Sequence, residues 1–189
     1  PCSMCGFPVV GGDLDGDGFA DVAVPCMSCD AVAVYRGSES GLLPSAAVVL
    51  AYPGMGAASR FGGSAAWIGD VDADGFSDLA VGAPDASDSA GQGGRVYVYL
   101  GGERIADVGD EPVVLRGGAD VDPEFREREE FGVGLAVGGD WNDDGFDDLV
   151  ISASFGPAPL DGRFVALFLG SPEGIAPDAV GGIADPSGD

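Results

Sequence analysis

The chain contains no histidine and no lysine, and all eight of its basic residues are arginine. The absence of histidine excludes Ser-His-Asp and Cys-His catalytic arrangements and removes the commonest general base and zinc nitrogen ligand. Thirty-two acidic residues give a formal net charge of −24. A surface this acidic repels nucleic acid and anionic lipid, so we expect no nucleic-acid partner. No apolar run approaches the ~20 residues needed to span a bilayer, so we expect no transmembrane segment.

Three copies of one acidic loop, at 13–21, 70–78 and 140–148, dominate the sequence. Each copy carries side-chain oxygens at loop positions 1, 3, 5 and 9, with glycine at position 6 and phenylalanine at position 7. This spacing wraps one hard cation in carboxylates and a backbone carbonyl, which predicts three Ca²⁺ sites. The predicted ligands, with each phenylalanine acting through its carbonyl, are Asp13, Asp15, Asp17, Phe19 and Asp21; Asp70, Asp72, Asp74, Phe76 and Asp78; and Asp140, Asn142, Asp144, Phe146 and Asp148.

These loops differ from the EF-hand, in which a bidentate glutamate at position 12 leads into a helix. Position 12 is Val24, Val81 or Ile151 here, inside short apolar runs rich in β-branched residues. Such runs predict buried strands, and the apolar segments upstream of the loops are too brief for amphipathic helices. We therefore expect each metal at the tip of a β-hairpin.

The second copy is flanked by Phe61-Gly62 before its loop and by Gly82-Ala83-Pro84 after it. With these flanks the unit resembles FG-GAP repeats, the blades of the integrin α-subunit β-propeller. The third copy departs at its end, where Ser152-Ala153-Ser154 stands. The first copy has Met4-Cys5 and Pro25-Cys26 at the two flanking positions, but its metal loop is whole.

Two further strand signals follow each loop hairpin, which gives four strands per unit, as in a propeller blade. We predict an all-β chain of three four-stranded blades: 1–56 with a cysteine-rich hairpin, 57–128 with an extended acidic loop, and 129–189. Propellers typically close with four to eight blades, so further blades or oligomerisation must complete this partial propeller. The charged segment 124–130 predicts a solvated loop or a partner-binding protrusion.

The resemblance implies an extracellular, secreted or cell-surface calcium-binding module for protein or glycan recognition or adhesion, without catalysis of its own. The alternative is a structural subunit of an extracellular filament or surface assembly joined through open blade edges. The expected partners are a protein or glycan ligand or copies of the chain itself. The start at Pro1 without an initiator methionine is expected for a mature or excised fragment. The sequence contains no Arg-Gly-Asp tripeptide that would suggest a ligand.

The cysteines form two C-x2-C pairs, Cys2 with Cys5 and Cys26 with Cys29. The spacing resembles a zinc ribbon, but in the aligned repeat all four gather at the hairpin end away from the metal loop. We favour the disulfides Cys5–Cys26 and Cys2–Cys29. Two alternatives stay open for these cysteines: a four-thiolate metal site and redox chemistry. With a four-thiolate metal site, the protein could belong to a third functional class, an enzyme that uses the bound metal.

The two tryptophans are expected to differ. Trp67 lies within a predicted strand and is expected in the core. Trp141, at position 2 of the third loop, is expected to project outward, either to contact a ligand or to pack against a neighbouring blade.

Overall fold

Short strands separated by glycine-rich turns form three four-stranded antiparallel sheets in the computed structural model of the chain. The structure describes residues 6, 8–54, 59–88, 91–104, 108, 112–117, 130–154 and 163–184. In these ranges the helical content is a single 3-10 turn, Met27–Cys29. The predicted all-β class with three four-stranded sheets is confirmed.

The first blade has the strand order β1-β2-β3-β4. Its strands are β1 (Val9–Gly12), β2 (Asp21–Cys26), β3 (Ala31–Tyr35) and β4 (Val48–Ala51).

The second blade has the order β5-β6-β9-β10. Its strands are β5 (Ser64–Trp67), β6 (Leu79–Ala83), β9 (Arg95–Tyr99) and β10 (Val113–Arg116). A small two-stranded sheet, β7 (Ser87–Asp88) with β8 (Gly91–Gln92), projects from the β6–β9 connection.

The third blade repeats the order as β11-β12-β13-β14. Its strands are β11 (Gly134–Gly139), β12 (Asp148–Ser154), β13 (Arg163–Phe168) and β14 (Gly181–Ala184). The predicted boundaries 1–56, 57–128 and 129–189 fall on residues outside the described ranges and stay predictions, as does the interpretation of residues 124–129.

The three blades stand face to face with their first strands adjacent, since β5 contacts β1 on one side and β11 on the other. The acidic loops connect the first two strands of each blade, from β1 to β2, β5 to β6 and β11 to β12. All three loops therefore lie at hairpin tips, between two strands as the sequence predicts.

The core consists of two apolar layers, one at each junction between blades. The first junction, between blades 1 and 2, contains Leu14, Val34, Phe61 and Tyr97. At its centre the Phe61 and Tyr97 rings lie 5.5 Å apart between centroids in an edge-on arrangement. The second junction, between blades 2 and 3, is built in the same way.

At the second junction the phenylalanine that corresponds to Phe61 is Phe131, which is fully buried. Its ring packs edge-on against Phe168 with centroids 6.0 Å apart, and Val71 and Leu149 belong to the same core layer. Each phenylalanine of a Phe-Gly pair thus enters the space between its own blade and the preceding one. The Phe-Gly pair therefore packs at a junction between blades and takes no part in the acidic loop.

Candidate metal centres

The three acidic loops fold in the same way because the carboxylate at position 1 organises the loop backbone. In the second loop Asp70 Oδ1 accepts a hydrogen bond from the Asp74 amide at 3.0 Å, and Asp70 Oδ2 accepts one from the Gly75 amide at 2.8 Å. The same two bonds recur at Asp13 and Asp140. Residues at positions 4 and 6 adopt positive φ to allow this turn, including Ala73 with φ 58° and Gly75 with φ 95°.

The carboxylate at position 9 is fully buried in every loop and fastens the loop to the end of the third strand. Asp78 Oδ2 accepts the Val71 amide at 2.7 Å, and Asp78 Oδ1 accepts the Gly101 amide at 2.8 Å. Asp21 bonds the Leu14 and Gly37 amides in the same way. Two hydrogen bonds from backbone amides satisfy only part of the accepting capacity of a carboxylate, so these oxygens retain lone pairs for a cation.

The same position in the third loop is occupied by Asp148. It accepts the Trp141 amide at 2.7 Å and the Gly170 amide at 3.0 Å. The hydrogen bonds of these glycines to position 9 were not predicted, although each unit marks the glycine by an aromatic residue two positions before it. A Cβ on Gly101 would lie 2.6 Å from Phe76 Cβ, so only glycine brings its amide this close to the loop.

The structure brings most of the predicted ligands together in the first two loops. One carboxylate oxygen from each of positions 1, 3 and 9 lies within 4.8 Å of the others, in Asp13, Asp15 and Asp21 and again in Asp70, Asp72 and Asp78. Such crowding of negative charge favours a bound cation.

Position 5 stands apart from these three-carboxylate groups. Asp74 Oδ1 accepts the amide of Phe76, and Asp17 Oδ1 accepts that of Phe19, each at 3.0 Å. One oxygen of each of these side chains therefore stabilises the loop, so only the other oxygen could ligate an ion.

The third loop has an amide side chain at position 3. Asn142 Nδ2 donates a hydrogen bond to Asp144 Oδ2 at 2.7 Å, which turns the two predicted ligands toward each other. A neutral side chain here leaves three carboxylates among the predicted ligands of this loop, against four in each of the other loops.

The electrostatics of the second loop reflect burial and mutual repulsion of its acids. Burial raises the pKa of the Asp78 carboxyl to about 7, although the Gly101 and Val71 amides lower it, and Asp72 adds to the rise. Burial, followed by repulsion from Asp74, raises the pKa of Asp72 to about 6. A divalent cation among these groups would stabilise their ionised forms.

The first loop contains an unpartnered buried oxygen. The Asp15 side chain is only 5 % exposed, and its Oδ1 has no hydrogen-bond partner among the described residues. A buried carboxylate oxygen without a partner is costly, and a hard cation is the ligand that such an oxygen prefers. The residues present therefore fit Ca²⁺, which would be held by the predicted side chains and would offset part of the negative charge of the loop.

Each of the first two loops also bonds to the blade that follows it. The Asp13 carbonyl accepts the Ser77 amide at 2.9 Å, and the Leu14 carbonyl accepts the Gly102 amide at 2.9 Å. The corresponding bonds at the second junction run from the Asp147 amide to the Asp70 carbonyl at 3.1 Å and from the Ser171 amide to the Val71 carbonyl at 3.0 Å.

Asp147 adds a side-chain bond that the sequence did not predict, since its Oδ2 accepts the Asp70 amide at 3.0 Å. The acidic loops are thus part of the junctions between blades.

The predicted cysteine cluster lies only partly within the described residues. Cys26 Sγ and Cys29 Sγ lie 3.2 Å apart around the 3-10 turn, and Cys29 is disulfide-bonded. Cys2 and Cys5 are outside the described residues, so the pairs Cys5–Cys26 and Cys2–Cys29 stay predictions.

The two tryptophans differ as expected in exposure. Trp67 is half-buried, packs against the first junction and donates from Nε1 to the Val9 carbonyl at 3.1 Å. Trp141 is 74 % exposed, whereas Leu14 and Val71 at the same loop position are fully buried. No helix in the described ranges is long and apolar enough to cross a membrane.

Residues 61–99, which include the second loop and the strands β5, β6 and β9 of the second blade, match the family model described as FG-GAP repeat. The chain contains an FG-GAP repeat. This confirms the resemblance found in the sequence, and the repeat lies in the blade that carries both flanking motifs.

Relatives of this FG-GAP chain include integrin alpha subunits. It is 36 % identical over 154 residues to integrin alpha-PS5 of Drosophila melanogaster, covering 78 % of this chain and 15 % of the relative. It is 33 % identical over 154 residues to integrin alpha-PS3 of Drosophila melanogaster, covering 78 % of this chain and 13 % of the relative.

A human relative, integrin alpha-7, is 38 % identical over 147 residues, covering 76 % of this chain and 11 % of the relative. The chain therefore spans less than a sixth of the length of each of these relatives, and the aligned part is an integrin-α-like set of FG-GAP propeller blades.

Proposed function

We propose that this chain is a calcium-binding segment of an extracellular β-propeller that recognises a protein or glycan ligand and performs no catalysis. Three Ca²⁺ ions would occupy the three acidic loops, held by the predicted side chains at positions 1, 3, 5 and 9 and by the carbonyl at position 7. The bound ions would supply charge neutralisation and rigidity at the junctions.

The observation that carries this proposal is the repeated three-carboxylate group at the tips of the first two hairpins. Its members at positions 1 and 9 are fixed by the same backbone hydrogen bonds in every copy. The buried, unpartnered Asp15 Oδ1 supports a cation rather than a solvated acidic surface. The similarity to integrin alpha subunits supports an extracellular recognition role.

Thermal unfolding of the full chain in chelator and in calcium tests the metal role. An ion that binds only the folded state stabilises it by about 2.7 kcal/mol at a free concentration 100 times its Kd, so the melting temperature should rise steadily with calcium. Identical melting curves in chelator and in calcium would refute the proposal.

A pair of variants locates the effect. Asp72→Ala should reduce the calcium-dependent rise because it removes one carboxylate of the second group. Asp178→Ala removes an exposed acid outside the loops and should leave the rise unchanged. Equal loss in both variants would indicate a general charge effect instead of a defined site.

The alternative function is assembly, in which a second copy of the chain docks head to tail on the third blade. At both junctions, the carbonyls at loop positions 1 and 2 accept two amides of the following blade. The corresponding carbonyls of Asp140 and Trp141 have no such partner among the described residues, and neither do the corresponding amides of Ala20 and Ser38 in the first blade.

The two end faces are therefore complementary in hydrogen bonding, and both carry exposed apolar side chains. Val49 on the first blade is 58 % exposed, and Val165 on the third is 39 % exposed. Light scattering against protein concentration tests docking: a ring or polymer that Trp141→Asp dissociates supports it. A monomer at all concentrations rejects it.

A further inference from the structure

The residue that follows the third strand distinguishes the first loop from the other two. Strand register aligns Tyr35 with Tyr99 and Phe168, because they pair with Val22, Leu79 and Leu149, the residues directly after loop position 9. The next residues along the chain are therefore equivalent: they are Arg36, Leu100 and Leu169. Only the first unit places a cation at this position.

The Arg36 guanidinium contacts two predicted calcium ligands. Its Nε lies 2.5 Å from Asp15 Oδ2, and its terminal nitrogen NH2 lies 2.9 Å from Asp17 Oδ2. These carboxylates occupy loop positions 3 and 5, and the Asp15 side chain is almost fully buried. Arginine stays protonated in proteins and offers only donors, so it can neutralise carboxylates but cannot coordinate a metal.

The second loop has four carboxylates and the apolar Leu100 at the corresponding position, where Leu100 packs against the second junction. Salt bridges in the described residues include Arg36 with Asp15 and Asp17, and Arg60 with Asp85 and Glu130, but none to the second or third loop. In the described part of the chain, only the first loop is thus paired with an arginine.

We propose that Arg36 is a built-in counter-ion of the first loop, which competes with Ca²⁺ for Asp15 and Asp17. The first site then binds calcium more weakly than the second, and its loop needs no metal to hold its fold. For calcium to bind both carboxylates, the guanidinium must swing away, because the two cations would otherwise repel each other at the same oxygens. This inference rests on the proposed calcium function and assigns unequal roles to the sites.

The first test measures calcium affinity of the first loop alone by calorimetry. The full chain carrying Asp72→Ala and Asp144→Ala weakens the other two loops, and Arg36→Leu is added to one of two otherwise identical proteins. Leucine is the residue that the other units carry at this position. We expect Arg36→Leu to tighten binding at least tenfold, and equal affinities would overturn the proposal.

The second test needs only single substitutions and thermal unfolding. In chelator, Arg36→Leu should lower the melting temperature, because the carboxylates lose their counter-ion. In millimolar calcium that deficit should disappear or reverse.

The matched control is Arg60→Leu, which also removes an arginine with two ion pairs but lies outside the loops. Its deficit should be the same with and without calcium. If Arg36→Leu behaves like Arg60→Leu, the competition is wrong. If no protein responds to calcium at all, the proposed function itself fails, whereas calcium binding with equal affinity in the two calorimetry proteins refutes only the role of Arg36.

Discussion

The middle blade is buried on both faces, whereas each outer blade is buried on one. Every residue of β6 and β9 is buried, with Leu79 and Tyr99 facing the first junction and Ala80 and Val98 the second. In the first blade β3 alternates, because Val32 and Val34 are buried and their neighbours are half-exposed. A blade of this type has two apolar faces, and its neighbours decide how much of each is removed from water.

The largest expected difference between a junction and an open face comes from the aromatic residues. Phe131→Ala removes a fully buried ring from the second junction and should destabilise the chain by about 3–5 kcal/mol. Trp141→Ala removes an exposed ring from the open face and should cost less than about 0.5 kcal/mol. Urea unfolding measures both values. A large cost for Trp141→Ala would mean that this face is covered in solution.

Two glycines with similar backbone conformation sharpen the same comparison. Gly69 and Gly139 directly precede the second and third loops with φ values of 82° and 64°. A Cβ on Gly69 would lie 1.9 Å from Asp147 Oδ2 across the second junction, but a Cβ on Gly139 would meet no described atom within 4 Å.

Alanine at either glycine carries the same backbone penalty of roughly 1 kcal/mol. Gly69→Ala should cost about 1–3 kcal/mol more than Gly139→Ala, because Asp147 must move and its bond to the Asp70 amide is lost. Paired urea melts give the difference directly. Equal losses of stability in the two variants would show that the second junction accommodates a Cβ at position 69.

The smallest expected effect concerns Glu130, whose carboxylate bonds Arg60 of the second blade and Ser154 of the third. The Ser154 hydroxyl, with help from Arg60, lowers the pKa of Glu130 below its ordinary value. A lowered folded-state pKa gives stability that is present above the unfolded pKa and is lost as pH falls through the folded one.

Glu130→Gln should therefore destabilise the chain at neutral pH by less than about 1 kcal/mol, since the pair is largely exposed. The gap between wild type and variant should close as the solution becomes more acidic than the folded-state pKa. Thermal melts from neutral to acid pH follow it, and a gap that widens in acid would contradict the assignment.

Much of the fold could be predicted because its signals are local. The acidic loops, the β-branched runs after them and the missing glutamate at position 12 identify hairpin tips without any tertiary information. The predicted ligands at positions 1, 3 and 9 follow from the same spacing, and the first two loops bring their oxygens together.

The unpredicted features depend on contacts between distant segments. Arg36 reaches the first loop only because β3 pairs with β2, and Asp147 meets Asp70 only because two blades stand face to face. The left-handed conformations of Ala73 and Asp143, at loop position 4, were also not predicted. The first loop has glycine at this position, which favours positive φ, but alanine and aspartate do not indicate it.

The bonds between each loop and the following blade have a consequence for how such chains diverge. They involve main-chain atoms on both sides, and the donor at loop position 8 is Ser77 in one unit and Asp147 in the next. A duplicated unit could therefore change almost any side chain here and still fit beside its parent. Proline alone would be barred, because it has no amide hydrogen to give.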